Sequence, residues 1–390
     1  MGALDGLRVL DLTRLLPGGF CSWLLGDLGA EVIKVEEPGR GDYLRWFPPL
    51  KVRESGMFLV LNRNKKSLTL NLKADAGKAV FRRLAEGADV VLEGYRPGVM
   101  DRLGLGWKAL RELNPRLVYC AITGYGQDGP YRDLVGHDLN YLGIAGALEL
   151  MGERGRPPIV PGLSIADLGG GAQMATVGIL GALLARARTG LGQLVDISMT
   201  DGVVAWLSVH AGRYFTDGVT PRRGEMALAG ASPCYQVYEC ADGRFLTVGC
   251  IEPHFWKNLC VALGVEEYVD HQWSEERREE IFARLRAVFR TRARDDWFAA
   301  LRGRDICVGP SSTFDEAFAD PQLVHRGMVV ESEHPVEGRL RELGAPIKLS
   351  ETPAEYRRPA PQLGEHNDEI LRALGYEPAD IAEMASAGVI

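Results

Sequence analysis

The sequence has no Cys-x-x-Cys pair and no zinc-like Cys/His spacing, and its seven cysteines, at positions 21, 120, 234, 240, 250, 260 and 307, are an odd number. A disulfide framework and a structural zinc site are therefore excluded as organising devices, and reduced, mostly buried thiols in a cytoplasmic chain are the expectation. A surplus of positive charge is missing too. With 45 basic against 52 acidic residues and a net charge of −7, the chain exerts no long-range pull on nucleic acid, although local basic clusters can still hold a small anion. The opening MGALDGLRVLDL lacks the basic segment, apolar stretch and cleavage site of a leader, and no apolar run approaches the roughly 18 residues of a membrane span. The nearest, GAQMATVGILGALLARA, is punctuated by glycines and closed by Arg186 and Arg188, so it is expected to be a helix buried in protein, not in a membrane. Two nucleotide motifs are absent as well. There is no G-x-x-x-x-G-K-[ST], and the first strand-to-helix turn reads LTRLLPGGF in place of G-x-G-x-x-G, which argues against a P-loop ATPase and a nicotinamide dehydrogenase.

What is present is ordinary globular composition, 46% hydrophobic and 25% charged, in a 390-residue chain too long for one core. LRVLDLT has strand composition, FCSWLLGDLGA has helical spacing, and EVIKVEEP returns to a strand. The alternation continues through a strand at 67–72, a helix at 75–88, a strand at 89–95, a helix at 99–113 and a strand at 116–126. This pattern predicts an α/β protein with a Rossmann-like parallel sheet. DGVTPRRGEMALAGASP (217–233) reads as linker, and YQVYECADGRFLTVGC (235–250) reads as two strands around the turn signal Asp242-Gly243. The expected organisation is a large α/β domain over 1–200, a linker over 201–233 and a small α+β domain over 234–325. A Pro-rich, loop-like return over 326–390 follows, with residues 335–390 completing the large domain through the short helix of GEHNDEILRALGY.

Three ionisable residues stand out, each with a plain reading beside a functional one. Asp167 in SIADLGGG precedes three glycines and a long apolar helix, where an aspartate commonly serves as a cap. The glycines read as a helix start approached closely by a packed neighbour or a ligand. His137 in LVGHDLNY follows a turn-rich segment at the C-terminal end of a parallel strand, where ligands gather in open α/β sheets, although a lone His is commonly structural. Glu252 in VGCIEPHF lies just past the predicted hairpin and, taken alone, is a solvated loop charge.

In combination, GYGQDGPYRDLVGHDLNYLG, SIADLGGG, VYECADGRFLTVGCIEP and EGYRPGVMDRLGLG closely resemble the α-methylacyl-CoA racemases, a branch of the family III CoA-transferases. The resemblance runs from LRVLDLTRLLPGGFCSWLLGDLGAEVIKVEEPGRGD to GEHNDEILRALGY. It implies that His137 and Asp167 form the acid/base pair and that Glu252 orients and charges His137. Inverting the α-carbon of a 2-methylacyl thioester requires removing a proton on one face and returning one on the other, hence two groups. Backbone N–H groups at the glycine-rich helix start are expected to face the enolate oxygen. For coenzyme A, which enters as part of the substrate and is the sole cofactor moiety implied, the resemblance points to Leu70 and Leu72 along the adenine, Arg102 near the phosphates, and Asp138 and Tyr141 lining the site. Where relatives carry Arg before a proline, this chain has Glu37-Pro38, so Arg40, Arg63 or Lys65 is expected to replace it. No metal is implied. An interlocked homodimer is, with Glu252 reaching His137 across the interface. Two other readings stay open: an acyl-CoA:carboxylate CoA-transferase in which Asp167 is the covalent nucleophile, and a CoA-binding module without activity. His137 and Glu252 together favour the racemase, because a transferase needs no second base.

Overall fold

The computed structural model describes residues 1–390. The chain forms two compact units: residues 1–145, 162–206 and 321–390 make the first, and residues 146–161 and 207–320 the second. The stretch 146–161, expected in the large domain, thus groups with the second unit. The expected linker over 201–233 is in part helical, with helices at Met199–Trp206 and Ser208–Asp217.

Six parallel strands organise the first unit: β1 (Arg8–Asp11), β2 (Glu31–Glu36), β3 (Lys65–Thr69), β4 (Val90–Glu93), β5 (Val118–Thr123) and β6 (Leu194–Ser198). They lie in the order β3-β2-β1-β4-β5-β6. Leu10 of β1 pairs with Ile33 on one side and Val91 on the other, so β1 and β4 flank the point where the strand order reverses. Every residue of β4 and β5 is buried, which is why these segments read as continuous apolar runs without alternation. The helix Asp75–Glu86 packs Val80, Phe81 and Leu84 into a cluster with Leu68, Leu70 and Val91. Ile370, Leu371 and Ile381 of the C-terminal helices Asn367–Ala373 and Pro378–Ser386 complete that cluster. The helix expected over 99–113 is two, Val99–Arg102 and Trp107–Leu113, because Gly104 at φ +71° breaks it. The return segment is not all loop: Val329–His334 and Gly338–Leu343 form an antiparallel hairpin.

Buried charges hold the turn after β1. Asp11 accepts from the Thr13 N–H (2.9 Å) and the Ser22 hydroxyl (2.6 Å), and Lys34 bridges the Thr13 carbonyl (2.9 Å) and Asp42 (2.8 Å). Asp42 in turn accepts the Leu15 N–H, and Leu15 takes a left-handed φ of 63° that a leucine adopts only when its surroundings impose it.

The long apolar helix begins at Ala166 with a π-helical stretch to Gln173 and continues as α-helix over Met174–Thr189. By length and composition the whole, Ala166–Thr189, is apolar enough to cross a membrane. The expectation that it is buried holds for one face: Ala175, Ile179 and Ala182 are in the interior, whereas Val177 and Leu184 are each 66% exposed. Its glycines mark a backbone contact. A Cβ on Gly170 would lie 2.4 Å from the Met199 carbonyl, one on Gly169 2.1 Å from the Trp206 ring, and one on Gly202 2.2 Å from the Gly170 carbonyl.

The second unit has a three-stranded antiparallel sheet, Tyr235–Glu239, Phe245–Gly249 and Val308–Pro310, backed by helices. Tyr238 stacks on Phe289 at 4.8 Å, Trp297 meets Phe289 edge-on at 5.5 Å, and Trp256 is fully buried beside them. All seven cysteines are free, and Cys307 alone is not buried.

Two stability outcomes follow from this packing. Gly170→Ala is expected to cost about 1–3 kcal/mol, because the opposing atoms are backbone and cannot swing aside; a denaturant midpoint equal to that of wild type would contradict the contact. Arg63→Ala removes one partner of a buried pair with Asp27 (2.6 Å) and is expected to cost about 3 kcal/mol by the same measurement.

Candidate functional site

At the C-terminal ends of β1, β4 and β5 a cavity of about 620 Å³ opens, floored by Thr13, Pro17 and Gly18 and walled by Gly94–Pro97, Ile122–Tyr125 and Arg132–His137. This is the topological switch point, where the loops of neighbouring strands diverge. His137 and Asp167 both line it.

His137 occupies the N-cap of the helix Asp138–Ile144, in extended backbone at φ −129°. Its N–H donates to the Asn140 side chain (3.0 Å) and its carbonyl accepts the Asn140 N–H (2.8 Å). The backbone is thereby fixed while the imidazole stays exposed to the cavity. Tyr141 supports it from behind: its hydroxyl donates to the Gly136 carbonyl, and its ring fills space that a Cβ on Gly124 would invade at 2.3 Å.

Asp167 is the second residue of its helix, and Ile165 stands at the cap position, so the carboxylate is not committed to capping. The Asp167 N–H donates to the Asp138 carboxylate at 2.9 Å. Burial, and then the nearby Asp138 charge, push the Asp167 carboxyl up to about 6, against an opposing pull from His137. A π-helical turn at this point is a common companion of function. The glycines that follow serve close packing against Met199–Trp206.

The other expected ligands divide. Arg102 is exposed, and its guanidinium and that of Arg132 come within 3.3 and 3.1 Å of where a Cβ on Gly98 would lie. Arg96 is exposed on the same turn and lines the cavity. Like charges converge here without enough carboxylates to neutralise them: Arg132 pairs with Asp133 (2.9 Å), and its Nε donates to the Gln127 carbonyl. Arg40 is exposed and lies outside the cavity wall. Arg63 is withdrawn as a phosphate ligand. Its side chain is 3% exposed and grips Asp27 with two hydrogen bonds. Lys65 is withdrawn for the same reason, being fully buried against Asp11 and Asn62. Leu70, 2% exposed, is a core residue, and its N–H is committed to the Glu36 carbonyl. Leu72 packs against the same core. The outer edge of β3 is also covered, since the Thr69 and Ser67 amides donate to Asn367 and His366 of the C-terminal segment. Tyr141 lines the cavity as expected, while the Asp138 side chain turns to Asp167.

Glu252 belongs to the second unit. It is exposed at the N-cap of the helix Pro253–Leu263 and makes no capping bond; the preceding Cys250 and Ile251 carbonyls are held by Gln272.

Sequence reasoning overlooked Arg14. It lines the cavity, sits over the rings of Tyr43 (5.1 Å) and Tyr95 (5.6 Å), and lies 3.6 Å from Glu37, the residue that departs from the expected pattern. Its place in the turn after β1, three residues before Pro17, was the available signal.

Residues 4–367 match the family described as CoA-transferase family III. Human alpha-methylacyl-CoA racemase is 37% identical over 393 residues, covering 100% of this chain and 97% of that protein. Human succinyl-CoA:glutarate CoA-transferase is 35% identical over 395 residues, covering 99% and 90%. Among solved structures, a CAIB/BAIF family protein from Brucella suis superposes with a TM-score of 0.84 at 33% identity, covering 96% of this chain and 99% of that one. Relatives with both chemistries thus match along nearly the full length, and the chain belongs to CoA-transferase family III.

Proposed function

We propose that this enzyme racemises 2-methylacyl-CoA thioesters by 1,1-proton transfer between His137 and Asp167. One observation carries the reading: a histidine and a carboxyl held near 6 line the same switch-point cavity. A group with that affinity is roughly one-tenth protonated at pH 7, so it serves as acid in one direction and base in the other.

In one direction neutral His137 takes the α-proton, the C–H electron pair moves into the thioester as an enolate, and protonated Asp167 delivers its proton to the opposite face. Imidazolium and carboxylate remain, and the reverse reaction starts from that state. The first-turn amides of the helix that His137 begins, those of Asp138 and Leu139, have no carbonyl a turn earlier to bond and are offered as donors to the enolate oxygen. Arg96, Arg102 and Arg132 form the cationic cluster offered to the CoA phosphates, and a guanidinium fork suits that role. Association into a homodimer belongs to the same reading, supported by the apolar face at Val177 and Leu184. Glu252 keeps its role as the partner of His137 within it.

Incubation of a chiral 2-methylacyl-CoA in D2O is expected to wash deuterium into the α-position with loss of optical purity and no acceptor acid. His137→Ala should lower that exchange-coupled inversion by about 100-fold or more. A protein that leaves the α-proton in place, needs a carboxylic acid acceptor and yields a hydroxylamine-trappable acyl group at Asp167 is a transferase, and that result overturns the proposal.

A further inference from the structure

His137 and Asp167 reach the cavity from separate elements, and one residue belongs to both. Asp138 directly follows His137 as the first residue of its helix, and its carboxylate crosses to accept the Asp167 N–H at 2.9 Å. That amide lies at the second position of its helix, where no carbonyl stands a turn earlier to receive it. Its neighbour Leu168 has found the Ser164 carbonyl (3.0 Å). Asp138 thus completes the start of one catalytic element while its backbone anchors the other.

We propose that Asp138 is a positioning residue: its carboxylate ties the Asp167 backbone to His137, fixing the separation of the two bases. The inference rests on the racemase reading above. Two groups that must flank one carbon tolerate little play, and a displacement of about 1 Å can cost 100-fold in rate. The charges around Asp167 bear on its proton. Asp138 opposes its ionisation and His137 favours it, and the Tyr141 phenol, itself held high by burial and then by Asp167, carries no charge to offset either. Across the cavity stand Arg14, Arg96 and Arg132, with Asp133 beside the last. Asp138 is the one carboxylate bonded to the Asp167 backbone. A residue that merely touched CoA would act on KM, whereas a tether acts on kcat and on the pH profile.

Two variants separate the parts. Asp138→Asn keeps an oxygen to accept the Asp167 N–H but removes the charge, so Asp167 ionises at lower pH. In the direction where Asp167 donates, kcat/KM is full below its pKa and lost above it; in the direction where it accepts, kcat/KM is gained above it. Both limbs should therefore move to lower pH, by about half to one unit. Asp138→Ala loses the tether as well, and kcat should fall about 10- to 100-fold with KM changed by less than about threefold. Unmoved limbs in the Asn variant together with an unreduced kcat in the Ala variant overturn the proposal, as does a large rise in KM at constant kcat. If wild-type protein shows no α-proton exchange, the racemase reading falls by itself. The tether is then judged by infrared difference titration of the Asp167 carboxyl, wild type minus Asp167→Asn: a lower titration in Asp138→Asn upholds it, and an unchanged one rejects it.

Discussion

A contact between two stretches of backbone, open only to residues without side chains, puts Asp167 where it is. Gly170 lies against the Met199 carbonyl, and Gly202 answers it from the facing helix. Met199 follows directly on β6, so the contact ties the start of the apolar helix to the end of the sheet. The carboxylate two residues before the glycines is thereby carried to the switch-point cavity and partly removed from water. Its affinity for a proton near neutrality is a consequence of that placement.

The same aspartate can do different chemistry in one fold. As a nucleophile it needs to be ionised and to meet an acyl carbon; as an acid it needs to hold a proton beside an α-carbon. Burial next to another carboxylate raises its proton affinity, yet with a value of about 6 both forms are present close to neutral pH, so the carboxyl can meet either demand. His137 then supplies what a nucleophile does not need, a group of complementary proton demand on the same cavity wall. The buried charges under β1 serve this arrangement at a distance, since Asp11, Lys34 and Asp42 set the Thr13–Leu15 turn that floors the cavity.

Much of this was legible in the chain. The alternation of apolar runs and helical spacings over residues 8–123 announced the parallel sheet, because the central strands, buried on both faces, are largely apolar. His137 and Asp167 were visible through their local motifs. Side-chain commitments were not: nothing in a single sequence tells that Arg63 is sealed against Asp27, or that the edge of β3 is closed by His366 and Asn367 from almost 300 residues away. The hairpin Val329–His334 and Gly338–Leu343 was hidden by its charged outer face, although VVESEH and RLREL around Gly338, at φ +72°, carried a signal. The glycines after Asp167 were seen, but whether a ligand or a helix approached them depended on Met199 and Trp206, which lie some 30 residues further on.

The account stands on one carbon being served by two bases, each confined to its own face. Single-base variants read this most directly when each enantiomer is followed alone in D2O. With His137→Ala, the enantiomer whose α-proton faces Asp167 should still exchange while keeping its configuration, and its mirror image should not exchange; with Asp167→Ala the preference should reverse. Exchange lost equally for both enantiomers in both variants, or retained equally in either, would contradict it.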